Sequence, residues 1–189
     1  MNKNLKNYSA FYLASQISRN KIDPVEIIEY FFSNFKNSDE NHRRSFTKVM
    51  KKEALIEAEN SWKRQKNKER LSFFDGVPIV WKDLIDIQGH PAYAGSKLIF
   101  KLRKNLRVKN AKIVKLAKKN GIISLAKTST VEFAFGGLGI NKSYELPSNV
   151  MFENENLVAG GSSTGSATAV FSGLSPMAVG TDTAGSIRI

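Results

Sequence analysis

The sequence predicts an α/β layer fold, and three observations carry that prediction. Helical apolar periodicity runs through the N-terminal stretches "SAFYLASQIS" (9–18) and "DPVEIIEYFFSNFK" (23–36). Short, almost wholly apolar runs, "GVPIVWKD" (76–83) and "IISLAK" (122–127), have the length and composition of strands buried on both faces. Helical and strand patterns then alternate down to a last apolar run at 176–180.

Taken in order, Ser9 is placed to cap the first helix. Asp23 caps the second, with Pro24 at its first position and Val25, Ile28, Phe31 and Phe32 along one face. "SFTKVM" (45–50) predicts a short strand before a polar helix over 51–66. The Asp75–Gly76 turn opens the strand Val77–Trp81. Asn110 is the expected cap of a helix over 111–119 that Gly121 closes, and 122–127 forms the next strand. A Gly-rich loop follows at 135–141, then a helix over 165–173 and a strand over 176–180. These elements divide the chain into a helical N-terminal segment, 1–66, and an α/β portion, 72–189.

Composition excludes several functions. With 41 % hydrophobic and 24 % charged residues, the 189-residue chain is globular rather than disordered. It has no cysteine, so thiolate catalysis, disulfides and cysteine-based zinc sites are ruled out. His42 and His90 are too few for an all-histidine metal site, and neither metal nor cofactor is expected. No apolar run approaches a membrane span, and the first twenty residues lack a signal-peptide pattern, so a cytoplasmic protein without a membrane partner is expected. The net charge is +12, and basic residues occur all along the chain, with clusters at Lys51–Lys52, 63–70 and 101–119. No recognition motif or aromatic interleaving accompanies them, so a solvated lysine-rich surface is the preferred reading over nucleic-acid binding.

Two runs of small and hydroxyl residues carry the chemistry: "GGSSTGSATAV" (160–170) and "GTDTAGSIRI" (180–189). Gly160 and Gly165 share the spacing of a P-loop, but Ser166 and Ala167 stand where lysine and Ser/Thr belong. Either run can serve packing alone, with small residues allowing a helix to lie close on a sheet. Nucleophilic catalysis by serine instead needs a base and oxyanion donors. The polar surroundings of His42 and the turn around His90 do not mark either as that base. Lys82, at the end of an apolar strand, is the natural candidate, because desolvation favours its neutral form. Successive N–H groups over Thr183–Ser186 can converge on one oxygen.

"GVPIVWKDLIDIQG", "AKTSTVEFAFGGLGIN", "AGGSSTGSATAV" and "GTDTAGSIRI" together resemble the amidase signature family, in its order and spacing, over nearly the whole chain. The resemblance implies a mixed β-sheet flanked by helices and a Ser–cisSer–Lys mechanism on carboxylic amides without metal or cofactor. In that reading Ser186 is the nucleophile, Ser162 the bridging serine after a cis peptide bond, and Lys82 the base. Ser163 supports them by hydrogen bonding, and Thr183, Ala184, Gly185 and Ser186 form the oxyanion segment. Asp182 anchors that loop, Phe135, Gly136 and Gly137 border the acyl pocket, and Lys127 is structural.

The sequence departs from the family pattern in three places. Ala184 replaces the commoner glycine while keeping the N–H. The stretch 144–161 departs from the usual entrance loop. Family members are longer, so the chain reads as the N-terminal, truncated part of the fold, with the leaving-group pocket beyond Ile189. The isolated chain is therefore expected to lack activity or to need a complementing C-terminal fragment. The expected partner is a small-molecule amide, with activity falling at acidic pH as Lys82 is protonated. Two alternatives accompany this reading: the glutamine-hydrolysing component of a glutamyl-tRNA amidotransferase, and a noncatalytic remnant.

Overall fold

The computed structural model describes residues 8–152, 155 and 157–189. Chain order is α1 (Ala10–Ser18), α2 (Pro24–Asn37), α3 (Glu40–Arg43), β1 (Phe46–Val49), α4 (Lys51–Lys66) and β2 (Pro78–Lys82). There follow α5 (Lys97–Arg103), α6 (Lys112–Lys119), β3 (Ile123–Thr128), a 3₁₀ turn (Glu132–Ala134), α7 (Thr164–Phe171) and β4 (Ala178–Val179). The four strands make one mixed sheet in the order β1-β3-β2-β4. β2 runs parallel to both neighbours, and β1 lies antiparallel on the far edge of β3.

Local chemistry explains most boundaries. Ser9 Oγ accepts from Tyr12 N at 3.2 Å, and Asp23 Oδ1 accepts from Val25 N at 2.7 Å ahead of Pro24. The inward face of α2 buries Ile27, Ile28, Phe31 and Phe32, and Val25 packs half-buried against the same core. Asn110 does not cap α6. Its Oδ1 accepts from Gln88 N at 2.7 Å across the preceding turn, and Ala111 occupies the cap position without a side-chain bond.

Alternation along the central strands splits the core between the two sheet faces. Val80 and Leu125 point to one side, where Leu13, Ile17, Ile28, Phe31 and Ala169 from α1, α2 and α7 meet them. Ile79 and Trp81 point to the other, against Val114 and Ala117 of α6. All residues of β2 and β3 are buried, which is why these strands read as continuous apolar runs. Trp81 Nε1 is satisfied by Ser124 Oγ at 3.0 Å.

At the N-terminal end of β2, the buried Asp75 accepts from Arg64 Nε (2.8 Å), Arg64 Nη2 (2.7 Å) and Leu71 N (2.9 Å). Burial opposes ionisation of this carboxyl, but the Arg64 and Leu71 donors outweigh it and hold its pKa below the usual range. Asp75 thus ties α4 to the entry of the strand that ends in Lys82.

Candidate active site

The C-terminal ends of β2, β3 and β4 lie side by side, where open α/β sheets place their ligands. Lys82 closes β2 opposite Thr128 of β3. Trp81 pairs with Val179 of β4, so the chain leaving β4 through Gly180 and Thr181 passes beside the lysine.

Ser129 and Thr130, just beyond β3, hold the first serine loop. Gly165 N donates to Ser129 O at 3.1 Å, and Thr130 Oγ1 donates to Ser162 O at 2.8 Å. Below them Thr128 Oγ1 and Ser166 Oγ lie 2.7 Å apart, and Ser45 Oγ and Thr168 Oγ1 lie 2.8 Å apart. These hydroxyl pairs satisfy the polar side of α7 where it presses on the sheet. A Cβ on Gly165 would sit 2.5 Å from Ser129 Oγ and 2.6 Å from Ser129 N, so the helix N-terminus needs glycine for this approach.

Lys82 is 0 % exposed, yet it has no carboxylate partner among the described residues. Its Nζ lies 2.7 Å from Ser162 Oγ, 2.9 Å from Ser163 Oγ and 2.9 Å from Thr181 Oγ1. Burial pushes its pKa from 10.5 down to about 8, with the negative charge of Asp182 pulling weakly the other way. Ser163 Oγ donates to Thr181 O at 3.2 Å, so its oxygen receives rather than supplies a proton at the lysine. The lone pair of neutral Lys82 is thereby left for Ser162 or Thr181.

The Gly161–Ser162 peptide bond is cis. The second serine loop is brought against the first by Ser163 N, which donates to Ser186 O at 3.1 Å. Gly180 permits the crossing, since a Cβ there would lie 2.8 Å from Ser163 Oγ. Ser186 Oγ makes no hydrogen bond among the described residues, and it lines an open groove of about 360 Å³ with Ser163, Val170, Phe171, Ile187 and Ile189. Asp182 folds its loop by accepting from Gly185 N (2.8 Å), Ile187 N (3.2 Å) and both Nε and Nη2 of Arg188 (2.9 Å each). The Arg188 contact, seconded by the Gly185 N–H, holds this carboxyl well below the usual carboxylate range. Gly185 N–H is therefore occupied, whereas the N–H groups of Thr183, Ala184 and Ser186 have no acceptor among the described residues.

The structure thus gathers Lys82, Ser162, Ser163 and the 180–186 loop. It leaves Phe135, 91 % exposed, and Gly136 away from the groove beside Ser186, while Gly137 lies against the Ile189 side chain. His42 and His90 pair with Asp39 (2.8 Å) and Glu53 (3.1 Å). Lys127 is buried against Asp83 Oδ1 at 2.6 Å and donates to Pro91 O at 2.7 Å. Two contributors escaped the sequence reading: Thr181, on the lysine itself, and Thr130, on the Ser162 carbonyl. The hydroxyl-rich strings "KTST" and "GTDT" are the only signals that pointed to them.

This geometry can be set beside known proteins. A family model described as Amidase matches residues 26–189. The chain belongs to the amidase family. It is 34 % identical over 176 residues to the A-type subunit of glutamyl-tRNA(Gln) amidotransferase from Endomicrobium trichonymphae, covering 93 % of this chain and 35 % of that protein. It is 40 % identical over 114 residues to 2-amino-5-chloromuconic acid deaminase of Comamonas testosteroni, covering 60 % and 24 %. Among solved amidase-family structures, an amidase superposes with TM-score 0.83 at 27 % identity, over 96 % of this chain and 40 % of that one. A bacterial aryl acylamidase of the amidase signature family superposes with TM-score 0.84 at 26 % identity, over 96 % and 36 %. The chain therefore spans between about a quarter and two fifths of the length of these amidase-family proteins.

Proposed function

We propose that this chain carries the reacting groups of an amide hydrolase, with Ser186 as nucleophile, Ser162 as proton bridge and Lys82 as base. One observation carries the reading: a buried lysine with no carboxylate partner among the described residues, its pKa lowered to about 8, held among three hydroxyls at 2.7–2.9 Å. Desolvation makes the neutral amine accessible near neutral pH, and Ser163 leaves its lone pair toward Ser162.

In the proposed cycle Ser186 Oγ attacks the amide carbon as its proton passes to Ser162 Oγ, whose own proton passes to Lys82. The tetrahedral oxyanion is met by N–H groups of the Thr183–Ser186 segment, of which those of Thr183, Ala184 and Ser186 have no acceptor among the described residues. The C–N bond then breaks as Lys82 returns a proton through Ser162 to the leaving amine, giving an acyl-serine and a free amine. Water attacks the ester by the same proton route and releases the carboxylic acid. The Ser162–Ser186 hydroxyl contact that this route needs forms with substrate bound, as catalytic hydrogen bonds often tighten only in the complex.

A nitroanilide of a simple acid tests the reading. The expected result is a burst of nitroaniline equal to one acyl group per chain, absent in Ser186→Ala and Lys82→Met. Release that persists in Ser186→Ala would reject it.

A second reading draws on the relative at 34 % identity over 93 % of this chain, which is named as part of a glutamyl-tRNA(Gln) amidotransferase. It keeps the same serine and lysine chemistry with glutamine as the amide. Ammonia release from glutamine faster than from other primary amides favours that reading.

A further inference from the structure

The chain's positive charge is concentrated in one surface segment. Residues 97–119, "KLIFKLRKNLRVKNAKIVKLAKK", contain ten Lys or Arg and no Asp or Glu. The rest of the chain has nineteen (29 − 10) against seventeen acidic residues, so this segment supplies +10 of the net +12. It comprises α5, α6 and the connection between them, and only Val114 and Ala117 within it are buried. Arg103 pairs with Asp86 at 3.0 Å and Lys118 with Glu57 at 2.6 Å. The other eight cations have no carboxylate partner among the described residues.

Between these cations stand aliphatic side chains turned to water. Leu98, Leu102, Leu106, Ile113 and Leu116 are 48–65 % exposed. On α6, Leu116 has Lys112 four residues before it and Lys119 three after it, so all three share one face. On α5, Leu98 and Leu102 share a face by the same spacing.

We infer that the α5–α6 surface docks this protein on an anionic lipid bilayer, with the lysines over the headgroups and the leucines in the interface. Charge complementarity selects a polyanion, and the exposed aliphatic residues select among polyanions. Lipid accepts an aliphatic side chain, whereas a phosphate backbone gains nothing from one. The contact is peripheral, because no helix among the described residues is long and apolar enough to cross a membrane. Each Lys or Arg beside an anionic lipid surface strengthens partitioning about fivefold. A leucine moved from water into the interface adds on the order of tenfold.

The test is co-sedimentation of the full chain with vesicles of phosphatidylcholine alone or mixed with about one third phosphatidylserine. Wild type is expected to bind the mixed vesicles and not the neutral ones, and to weaken as salt rises. Lys112→Glu with Lys115→Glu is expected to lose at least about twenty-five-fold. Leu102→Ser with Leu116→Ser is expected to weaken binding by on the order of a hundredfold at unchanged net charge. All four positions are exposed, and thermal melts matching the parent verify that the variants fold. No sedimentation with either vesicle, or equal sedimentation with both, overturns the proposal. So does RNA binding abolished by the glutamates and kept by the serines, which would reassign the surface to nucleic acid.

Discussion

Replacing Lys82 by methionine removes a buried charge while keeping most of the side chain's bulk, and the structure fixes how the effect depends on pH. Burial lowers the lysine from 10.5 to about 8. That gap of about 2.5, at about 1.36 kcal/mol per pH unit, means the folded chain disfavours the ammonium by about 3.4 kcal/mol relative to the unfolded chain. Below pH 8 both states hold the proton and the whole penalty is present. Between about 8 and 10.5 the unfolded state binds more protons, so stability rises with pH. Above 10.5 the penalty is gone. Methionine has no such dependence, and losing the hydrogen bonds to Ser162, Ser163 and Thr181 costs the same at every pH. The unfolding free energy of Lys82→Met minus that of the parent should therefore fall by about 2 kcal/mol between about pH 7.5 and 9.5. Urea titrations followed by circular dichroism measure this difference, and the other titrating groups cancel in it. A difference flat across that range would mean that Lys82 is not desolvated, and its role as a base near neutral pH would lose its physical basis.

Three further outcomes follow from the same contacts. Thr181→Val removes one hydroxyl acceptor from the Lys82 ammonium. It should move the pH midpoint of Ser186 acylation from near 8 down by about one unit, and an unmoved midpoint in a pH–rate profile would count against the contact. Lys127→Met leaves Asp83 charged and buried without its partner, and should cost about 3–5 kcal/mol in chemical denaturation. Adding Asp83→Asn should recover a large part of that loss, whereas strictly additive costs would show the two groups uncoupled. Gly165→Ala forces a methyl against Ser129 and should destabilise by about 1–3 kcal/mol; an unchanged melting temperature would refute the close packing of α7 on the sheet.

What the sequence disclosed, and what it withheld, has physical reasons. Asp23–Pro24 states its own role, because a cap acts on its immediate neighbours. The runs ending in Lys82 and Lys127 were legible as strands because parallel strands covered on both faces carry apolar residues throughout. Helix α5 was missed because its leucines face water, so its pattern reports no burial. Asn110 misled because its side chain serves a turn residue twenty-two positions earlier instead of the helix that follows it. Thr181 was invisible for a different reason. It touches Lys82 across ninety-nine residues of chain, and that contact exists only because β4 pairs parallel to β2. A two-residue strand carries too little pattern to announce its partner. The serine loops could be nominated from sequence, but the order β1-β3-β2-β4 that sets them beside the lysine could not.

The central claim is that Ser186 is nucleophilic because Lys82 draws its proton through Ser162. Intact-mass labelling of the chain with a fluorophosphonate, followed by peptide mapping, tests it most directly. The account predicts one adduct per chain, on Ser186, forming faster as pH rises toward 8, slowed in Ser162→Ala and lost in Lys82→Met. An adduct on another serine, or labelling of Ser186 at an undiminished rate in a folded Lys82→Met chain, would contradict it.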